Sequence, residues 1–239
     1  MYGSRARIGY TSPPSATEVF PYEFYRIVPL GVTLVLHTLP LIDRTSEEVD
    51  RSYDHSIRIA KVMGRAGIDI MVFGGLPIVV SRGFANAEEL RRTMEAELGI
   101  PVITSASAQQ EALTALGARK VGIVQPYGDD HGARHMAYVR EFGCEPTGVI
   151  GLDARFIELG KVSLDQVYQA ARALMRAHPE TDTIHIYCPH LGTAGVTERI
   201  EREFGVNVVA SLQAIVWNAL RHAGIDDRIP GFGRLLAEH

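Results

Sequence analysis

Two copies of one pattern decide the fold of this chain: Ile8-Gly9-Tyr10-Thr11-Ser12-Pro13 and Val121-Gly122-Ile123-Val124-Gln125-Pro126. Each is a short apolar run bounded by proline, which is typical of a buried strand. Their glycines are 122 − 9 = 113 residues apart. The runs Phe73-Gly74-Gly75 and Ile186-Tyr187-Cys188 repeat that offset, since 188 − 75 is again 113. We therefore predict two copies of one structural unit.

A third pair of segments shows where the second copy is shorter. The segments 98–105 and 204–211 also match, with an offset of 211 − 105 = 106 residues. The offset therefore decreases by seven residues, which indicates a shorter loop in the second copy.

Short apolar runs alternate with amphipathic stretches along the whole chain. Residues 47–67 have apolar side chains at helical spacing, and Thr45 with Glu48 and Ser163 with Gln166 have capping-box spacing. This alternation predicts an α/β fold of two similar Rossmann-like domains with parallel sheets, related by pseudo-twofold symmetry. We expect residues 1–110 plus 214–239 in the first domain and 111–213 in the second. The predicted strands are Ile8–Thr11, Val32–His37, Ile68–Phe73, Val102–Thr104, Lys120–Val124, Thr147–Gly151, Thr183–Tyr187 and Val206–Ala210.

The composition excludes several classes of protein. The chain has 239 residues, with 24 Lys and Arg against 28 Asp and Glu, so its formal charge of −4 argues against a nucleic-acid partner. It has neither an apolar run long enough to cross a bilayer nor a signal-peptide pattern, so we expect no membrane partner. Its two cysteines, Cys144 and Cys188, are typical of a reducing compartment, and we expect a cytoplasmic protein. Assembly into a homo-oligomer is left open.

The repeat also predicts a site. In open α/β sheets, ligands bind at the carboxyl ends of the strands, so the loops of the two copies should converge in an interdomain cleft. One pair of loops contains Pro13-Pro14-Ser15 and Gln125-Pro126-Tyr127. The other contains Gly74-Gly75-Leu76-Pro77 and Cys188-Pro189-His190.

Cys188 is the candidate for chemistry. Two interpretations are open from residue statistics: a buried structural cysteine, or a thiol whose pKa is lowered by the N-terminus of a helix that follows it. Its place in the repeat favours the second. Cys144, between a predicted helix and a strand, has no such place and is expected to be inert. His190 is either a proton partner of the thiol or an ordinary loop histidine.

Metal and nucleotide sites are not expected. His131 and His135 lie four residues apart, but two ligands do not make a metal site, and Asp129 and Asp130 are predicted N-cap residues. The Gly74-Gly75 turn lacks both the dinucleotide fingerprint and a Walker lysine. We therefore predict no cofactor and no bound metal.

The chain resembles the aspartate/glutamate racemase superfamily, in its maleate isomerase and arylmalonate decarboxylase branch. The likeness runs nearly end to end. It is carried by Arg7-Ile8-Gly9 with Pro13-Pro14, residues 101–106, residues 123–127, the Cys188 strand end and residues 230–235.

The resemblance implies a role for a single thiol. Racemases and isomerases of this superfamily have two facing cysteines, but here the first position is Gly75, as in arylmalonate decarboxylase. A two-base racemisation needs a group on each face of the substrate, whereas one thiol is enough to protonate one face of an enediolate. The resemblance also implies that Tyr127 donates a hydrogen bond to the substrate carboxylate. The maleate isomerases have Asn where this chain has Ala16, which argues against that activity.

Other loop residues are expected to bind the substrate. Pro13, Pro14, Leu76 and Pro77 would form an apolar wall, in which a leaving carboxylate is poorly solvated. Leu76 and Pro77 replace the Thr-Ser of the decarboxylases, and Pro189 replaces a glycine, so hydroxyl and amide donors are lost. Backbone groups of Cys188 and His190, or the hydroxyls of Ser15, Ser105 and Ser211, could supply donors instead.

These features predict a cofactor-independent decarboxylase of an aryl- or alkyl-substituted malonate-type acid, with Cys188 as proton donor. Two alternatives stay open at this point. One is a cofactor-independent isomerase or racemase of a small carboxylic acid, and the other is a carboxylate-binding protein without catalysis.

Overall fold

The computed structural model describes residues 2–128 and 131–239. Its strands form two four-stranded parallel sheets, with strand orders β2-β1-β3-β4 and β6-β5-β7-β8. The strands are β1 (Ala6–Pro14), β2 (Val32–Leu41), β3 (Ile70–Phe73), β4 (Val102–Thr104), β5 (Lys120–Gln125), β6 (Glu145–Gly151), β7 (Thr183–Ile186) and β8 (Asn207–Ala210). All eight predicted strands, and the α/β class, are confirmed.

Helices connect the strands of both sheets. They are α1 (Val19–Ile27), α2 (Ser46–Arg65), α3 (Leu76–Val79), α4 (Phe84–Leu98), α5 (Ser105–Ala115), α6 (Gly132–Glu141), α7 (Leu164–Ala177), α8 (Thr197–Phe204), α9 (Ser211–His222) and α10 (Arg234–Glu238), with a 3-10 helix over Phe156–Lys161. None of these helices combines the length and hydrophobicity of a transmembrane span. Asp129 and Asp130, the predicted N-caps before α6, lie outside the described residues.

The strand register follows the sequence repeat. In the first sheet Gly9 pairs with Met71, and in the second sheet Gly122 pairs with Ile184. Both differences are 113 residues, since 122 − 9 and 184 − 71 agree. The two copies therefore share strand order and register, as the repeat predicts.

Both predicted caps form. Thr45 accepts a hydrogen bond from the backbone N–H of Glu48 before α2, and Ser163 and Gln166 form a complete capping box before α7. These side chains satisfy backbone donors that a helix start leaves without intrahelical partners.

The chain divides into two compact units. The first comprises residues up to Thr17, Phe24–Ala108 and Ile215–Asp227, and the second comprises Glu18–Glu23, Gln109–Ala214 and Arg228–His239. In the second unit Val124, Ile184 and Ile186 are fully buried in one apolar cluster with residues of α7 and α8. This core supports the strand ends from which Tyr127 and Cys188 follow. The exact domain boundaries given above stay a prediction.

Candidate active site

In the first unit, two candidate loops meet at the carboxyl end of the sheet. β1 and β3 are neighbours, and their last shared pair is Thr11 with Phe73. The backbone N–H of Gly74 donates to the hydroxyl of Thr11 at 3.3 Å. A Cβ atom on Gly75 would lie 2.5 Å from Cγ of Pro13, so these two loops are in close contact. The structure therefore brings Pro13 and Gly75 together.

The first-unit loops present mostly apolar groups. Pro13, Pro14 and Leu76 are buried, and Pro77 is half-buried in the first turn of α3. The exposed Ser15 donates its backbone N–H to the carbonyl of Leu41 at 3.2 Å. These loops are therefore mostly apolar, and their role as a wall of the substrate site stays a prediction.

Two backbone amides in the first turn of α3 are already used. Ile78 and Val79 both donate their N–H groups to the carbonyl of Gly75, at 2.9 and 3.0 Å. Pro77 has no N–H, so it offers no donor. Pro77, Ile78 and Val79 therefore offer no free backbone donor to an anion in this loop.

In the second unit, Tyr127 and Cys188 are in contact. They follow the neighbouring strands β5 and β7, and the Tyr127 hydroxyl donates to the Cys188 sulfur at 3.5 Å. Their exposed fractions are only 8% and 9%. A hydrogen bond donated to sulfur stabilises the thiolate more than the thiol, so this contact favours release of the thiol proton. The two predicted catalytic residues thus lie together.

Cys188 has a strained backbone. Its φ angle is 81°, in the left-handed region that side chains other than glycine rarely adopt. The N–H of Leu191 donates to the Cys188 carbonyl at 3.2 Å, which closes a turn over Pro189 and His190. Such strain clusters at functional positions, which favours the functional interpretation of this cysteine.

The helix predicted to follow the segment Pro189–Thr193 is present as α8, but it begins only at Thr197. Residues 189–196, all described, form turns, a bend and irregular backbone. The left-handed residue and Pro189 turn the chain away before a helix can start. A helix N-terminus therefore does not act on this thiol, and the donor near its sulfur is Tyr127 instead.

His190 is buried and neutral. Its exposed fraction is 3%, and burial lowers its pKa to about 3. Its ring lies 5.9 Å from the ring of Phe20 on α1. A neutral imidazole can exchange hydrogen bonds but supplies no positive charge to a thiolate, so His190 is not a cationic partner of Cys188.

Cys144 differs from Cys188 in the partner of its sulfur and in its backbone conformation. Neither cysteine is in a disulfide. The Cys144 sulfur donates to the carbonyl of Ala118 at 3.5 Å, and burial raises the pKa of its thiol. Burial therefore disfavours the nucleophilic thiolate of Cys144, and its inertness stays a prediction.

Sequence reasoning missed Glu23, a buried carboxylate attached to the loop after Cys188. Its oxygens accept the backbone N–H of Thr193, at 2.9 and 3.1 Å, and that of Ala194 at 3.1 Å. The available signal was the spacing of Phe20, Glu23 and Phe24, which places Glu23 on the buried face of α1.

The histidine pair considered for metal binding has other contacts. His135 is buried on α6, and its Nδ1 is hydrogen-bonded to Oε1 of Gln125. His131 precedes that helix, with its ring 5.2 Å from the ring of Tyr127.

Of the candidate hydroxyl donors, Ser211 donates to the carbonyl of Ile186 at 3.1 Å. Gln125, at the end of β5, is a further buried polar residue that sequence reasoning did not single out.

Comparison with known proteins identifies the family. A family model described as arylmalonate decarboxylase matches residues 8–236. The arylmalonate decarboxylase of Bordetella bronchiseptica is 30% identical over 237 residues, which cover 98% of each chain. The maleate isomerase of Nocardia farcinica is 33% identical over 139 residues, 57% of this chain and 55% of that protein.

A solved structure agrees with these sequence matches. It is an arylmalonate decarboxylase variant in its liganded form, with one glycine changed to cysteine and one cysteine to serine. It superimposes with a TM-score of 0.90 at 29% identity and covers 98% of this chain and 100% of its own. On a match that spans nearly its whole length, this chain belongs to the arylmalonate decarboxylase family.

Proposed function

We propose that this chain is a cofactor-independent decarboxylase of a malonate-type acid with an aryl or alkyl substituent on its central carbon. The observation that carries the proposal is the contact of a buried thiol, Cys188, with the hydroxyl of Tyr127, in a chain whose equivalent first-copy position is Gly75. Family membership supports the same reaction.

The proposed chemistry needs one proton donor. The bond between the central carbon and the leaving carboxylate breaks, and its electron pair passes into the remaining carboxylate to give an enediolate. The S–H of Cys188 then protonates the central carbon, and the thiolate regains a proton from water. The Tyr127 hydroxyl stabilises the thiolate, and in the bound complex it donates to the remaining carboxylate.

The apolar first-unit loops are the proposed lining for the leaving carboxylate. Pro13, Pro14 and Leu76 offer it no hydrogen bonds, so a charged group there is poorly solvated and loss of carbon dioxide relieves that cost. Ser15 and His190 complete the proposed substrate contacts. Because a thiol must stay reduced to donate its proton, we also propose a cytoplasmic location.

The test is a proton NMR assay in deuterated water with phenylmalonate-type acids, maleate and α-substituted monoacids. We expect carbon dioxide release and deuterium at the product α-carbon. Cys188→Ala should lower the rate by at least about 10²-fold, the contribution of a positioned proton donor. Cys144→Ala is the matched control and should keep the parent rate.

The same assay separates the alternatives. Deuterium incorporation without loss of mass would favour an isomerase or racemase, the activity named for the Nocardia relative. Binding of a dicarboxylate without turnover would favour a carboxylate-binding protein. A Cys188→Ser variant with the full parent rate would contradict the proposed role of the thiol.

A further inference from the structure

A buried glutamine fixes the backbone around Tyr127. Gln125 is fully buried at the end of β5, and its Nε2 donates to the carbonyl of Gly128 at 2.9 Å. The same nitrogen lies 3.5 Å from the carbonyl oxygen of Tyr127. One side-chain amide therefore restrains the backbone carbonyls of Tyr127 and of the residue that follows it.

The orientation of this amide determines the proton position on His135. A backbone carbonyl only accepts hydrogen bonds, so the NH₂ group of Gln125 must face Gly128 and its Oε1 must face the other way. Oε1 is bonded to Nδ1 of His135, and an amide oxygen cannot donate. Nδ1 of His135 therefore carries a proton and holds Gln125 in its orientation.

His135 also contacts the loop that contains the thiol. Its ring stacks on the ring of Tyr187, with centroids 4.2 Å apart and planes 8° from parallel. Tyr187 directly precedes Cys188 in the chain. His135, 2% exposed, thus touches the residue before the thiol and, through Gln125, holds the residue that donates to it.

We propose that His135 is a positioning residue for the proton donor: through its Nδ1–H bond to Gln125 it holds the Tyr127 hydroxyl against the Cys188 sulfur. The expected effect on turnover rests on the proposed function, but the expected effect on the pKa of the thiol does not. Without the imidazole N–H, the Gln125 oxygen loses its partner and the amide is free to turn away from Gly128. The tyrosine backbone then loses its restraint.

Two substitutions separate the hydrogen bond from the ring stack. His135→Phe keeps an aromatic ring on Tyr187 but has no N–H, whereas His135→Asn keeps a donor near the place of Nδ1 but has no ring. His185→Phe is the matched control. His185 is also buried, its ring also lies against Tyr187 at 4.1 Å, and its nitrogens have no hydrogen-bond partner among the described residues.

The first readout is the thiol of Cys188, followed by ultraviolet absorbance of the thiolate in a Cys144→Ala background. Loss of the tyrosine donor should raise the pKa of this thiol, because the donated hydrogen bond stabilises the thiolate. We expect that rise in Tyr127→Phe and in His135→Phe, but not in His135→Asn or His185→Phe. The folded state of each variant is checked by its thermal transition.

The second readout is a double-mutant cycle. If His135 acts through Tyr127, adding His135→Phe to Tyr127→Phe should change neither the thiol pKa nor kcat any further. Alone, His135→Phe should lower kcat roughly tenfold or more, because it displaces the Tyr127 hydroxyl that acts on the thiol and on the bound carboxylate.

The proposal would be overturned by a parental thiol pKa in His135→Phe, by His135→Asn behaving like His135→Phe, or by additive effects in the cycle. These thiol measurements need no substrate. A protein that releases no carbon dioxide but shows the expected shifts would refute the proposed decarboxylation and support the positioning role. A protein that releases carbon dioxide, but whose variants show no shift in the thiol pKa, would support the decarboxylation and refute the positioning role.

Discussion

Gly75 and Cys188 have the same backbone φ angle, 81°. Each stands two residues beyond an equivalent strand of its own sheet, Gly75 after β3 and Cys188 after β7. This conformation is open to glycine but strained for any other residue. The second copy therefore holds a thiol in a backbone conformation that suits glycine, and the strain is explained if the thiol is needed there.

The first prediction concerns the strain at Cys188. Cys188→Gly should be more stable than Cys188→Ala by about 1 kcal/mol, because glycine relieves the left-handed strain that alanine retains. The midpoints of urea denaturation measure this difference. Both variants should lose decarboxylation.

Cys144 is the matched control for that comparison. It is equally buried but is not among the residues with positive φ. Cys144→Ala should therefore be more stable than Cys144→Gly, the reverse order. The same order at both positions would contradict the strain at Cys188.

The second prediction concerns the contact of Gly75 with Pro13. Gly75→Ala would place a Cβ atom 2.5 Å from the proline ring, in addition to the strain of its φ angle. Gly83→Ala is the control, since Gly83 has a φ of 94° and no atom within 4 Å of an added Cβ. We expect Gly75→Ala to be less stable than Gly83→Ala by about 1–3 kcal/mol in urea denaturation.

A double variant tests the cause of that excess. Pro13→Ala removes the ring atom that the new Cβ would meet, so most of the excess cost should disappear in Gly75→Ala/Pro13→Ala. An excess that persists in the double variant would place its origin elsewhere.

The sequence was sufficient for the strands, which follow from its apolar runs, and its repeat predicted that the loops of Tyr127 and Cys188 lie together. It was insufficient for the path of the backbone between Cys188 and the start of α8 at Thr197. The left-handed φ of a cysteine has no local sequence signal, and it decides the direction of the loop. Glu23 and Thr193 are 170 residues apart, so their hydrogen bond depends on tertiary packing that no spacing rule describes.

The third prediction concerns pH. Burial lowers the pKa of both His185 and His190 to about 3, from 6.5 in the unfolded chain. Between these values the unfolded state binds protons that the folded state does not. Their contribution to stability is therefore complete above pH 6.5 and is lost as the pH falls. The slope should approach about 1.4 kcal/mol per pH unit for each histidine.

Denaturation at a series of pH values, in the parent and in His185→Phe, isolates one of these histidines. Between pH 4.5 and 6.5 the unfolding free energy of the variant should change less steeply with pH, by the contribution of one proton. Carboxyls such as Glu88, with its pKa lowered to about 2, affect the slope only below this range. Glu201, whose pKa burial raises, opposes this slope, but it does so equally in both proteins. Parallel curves for the two proteins would show that His185 is protonated in the folded state.

The last prediction concerns the carboxylate that holds the loop after Cys188. Glu23→Leu removes both carboxylate oxygens, including the Oε1 atom that accepts the amides of both Thr193 and Ala194. A buried amide left without its acceptor should cost about 1–3 kcal/mol of unfolding free energy. Hydrogen exchange followed by NMR should show faster exchange at these two amides. Glu18→Gln, an exposed change just before the same helix, should leave both the free energy and the exchange rates unchanged. Unaltered protection of both amides in Glu23→Leu would mean that the loop is held by its other contacts, such as the bond from the Thr193 hydroxyl to Gln213.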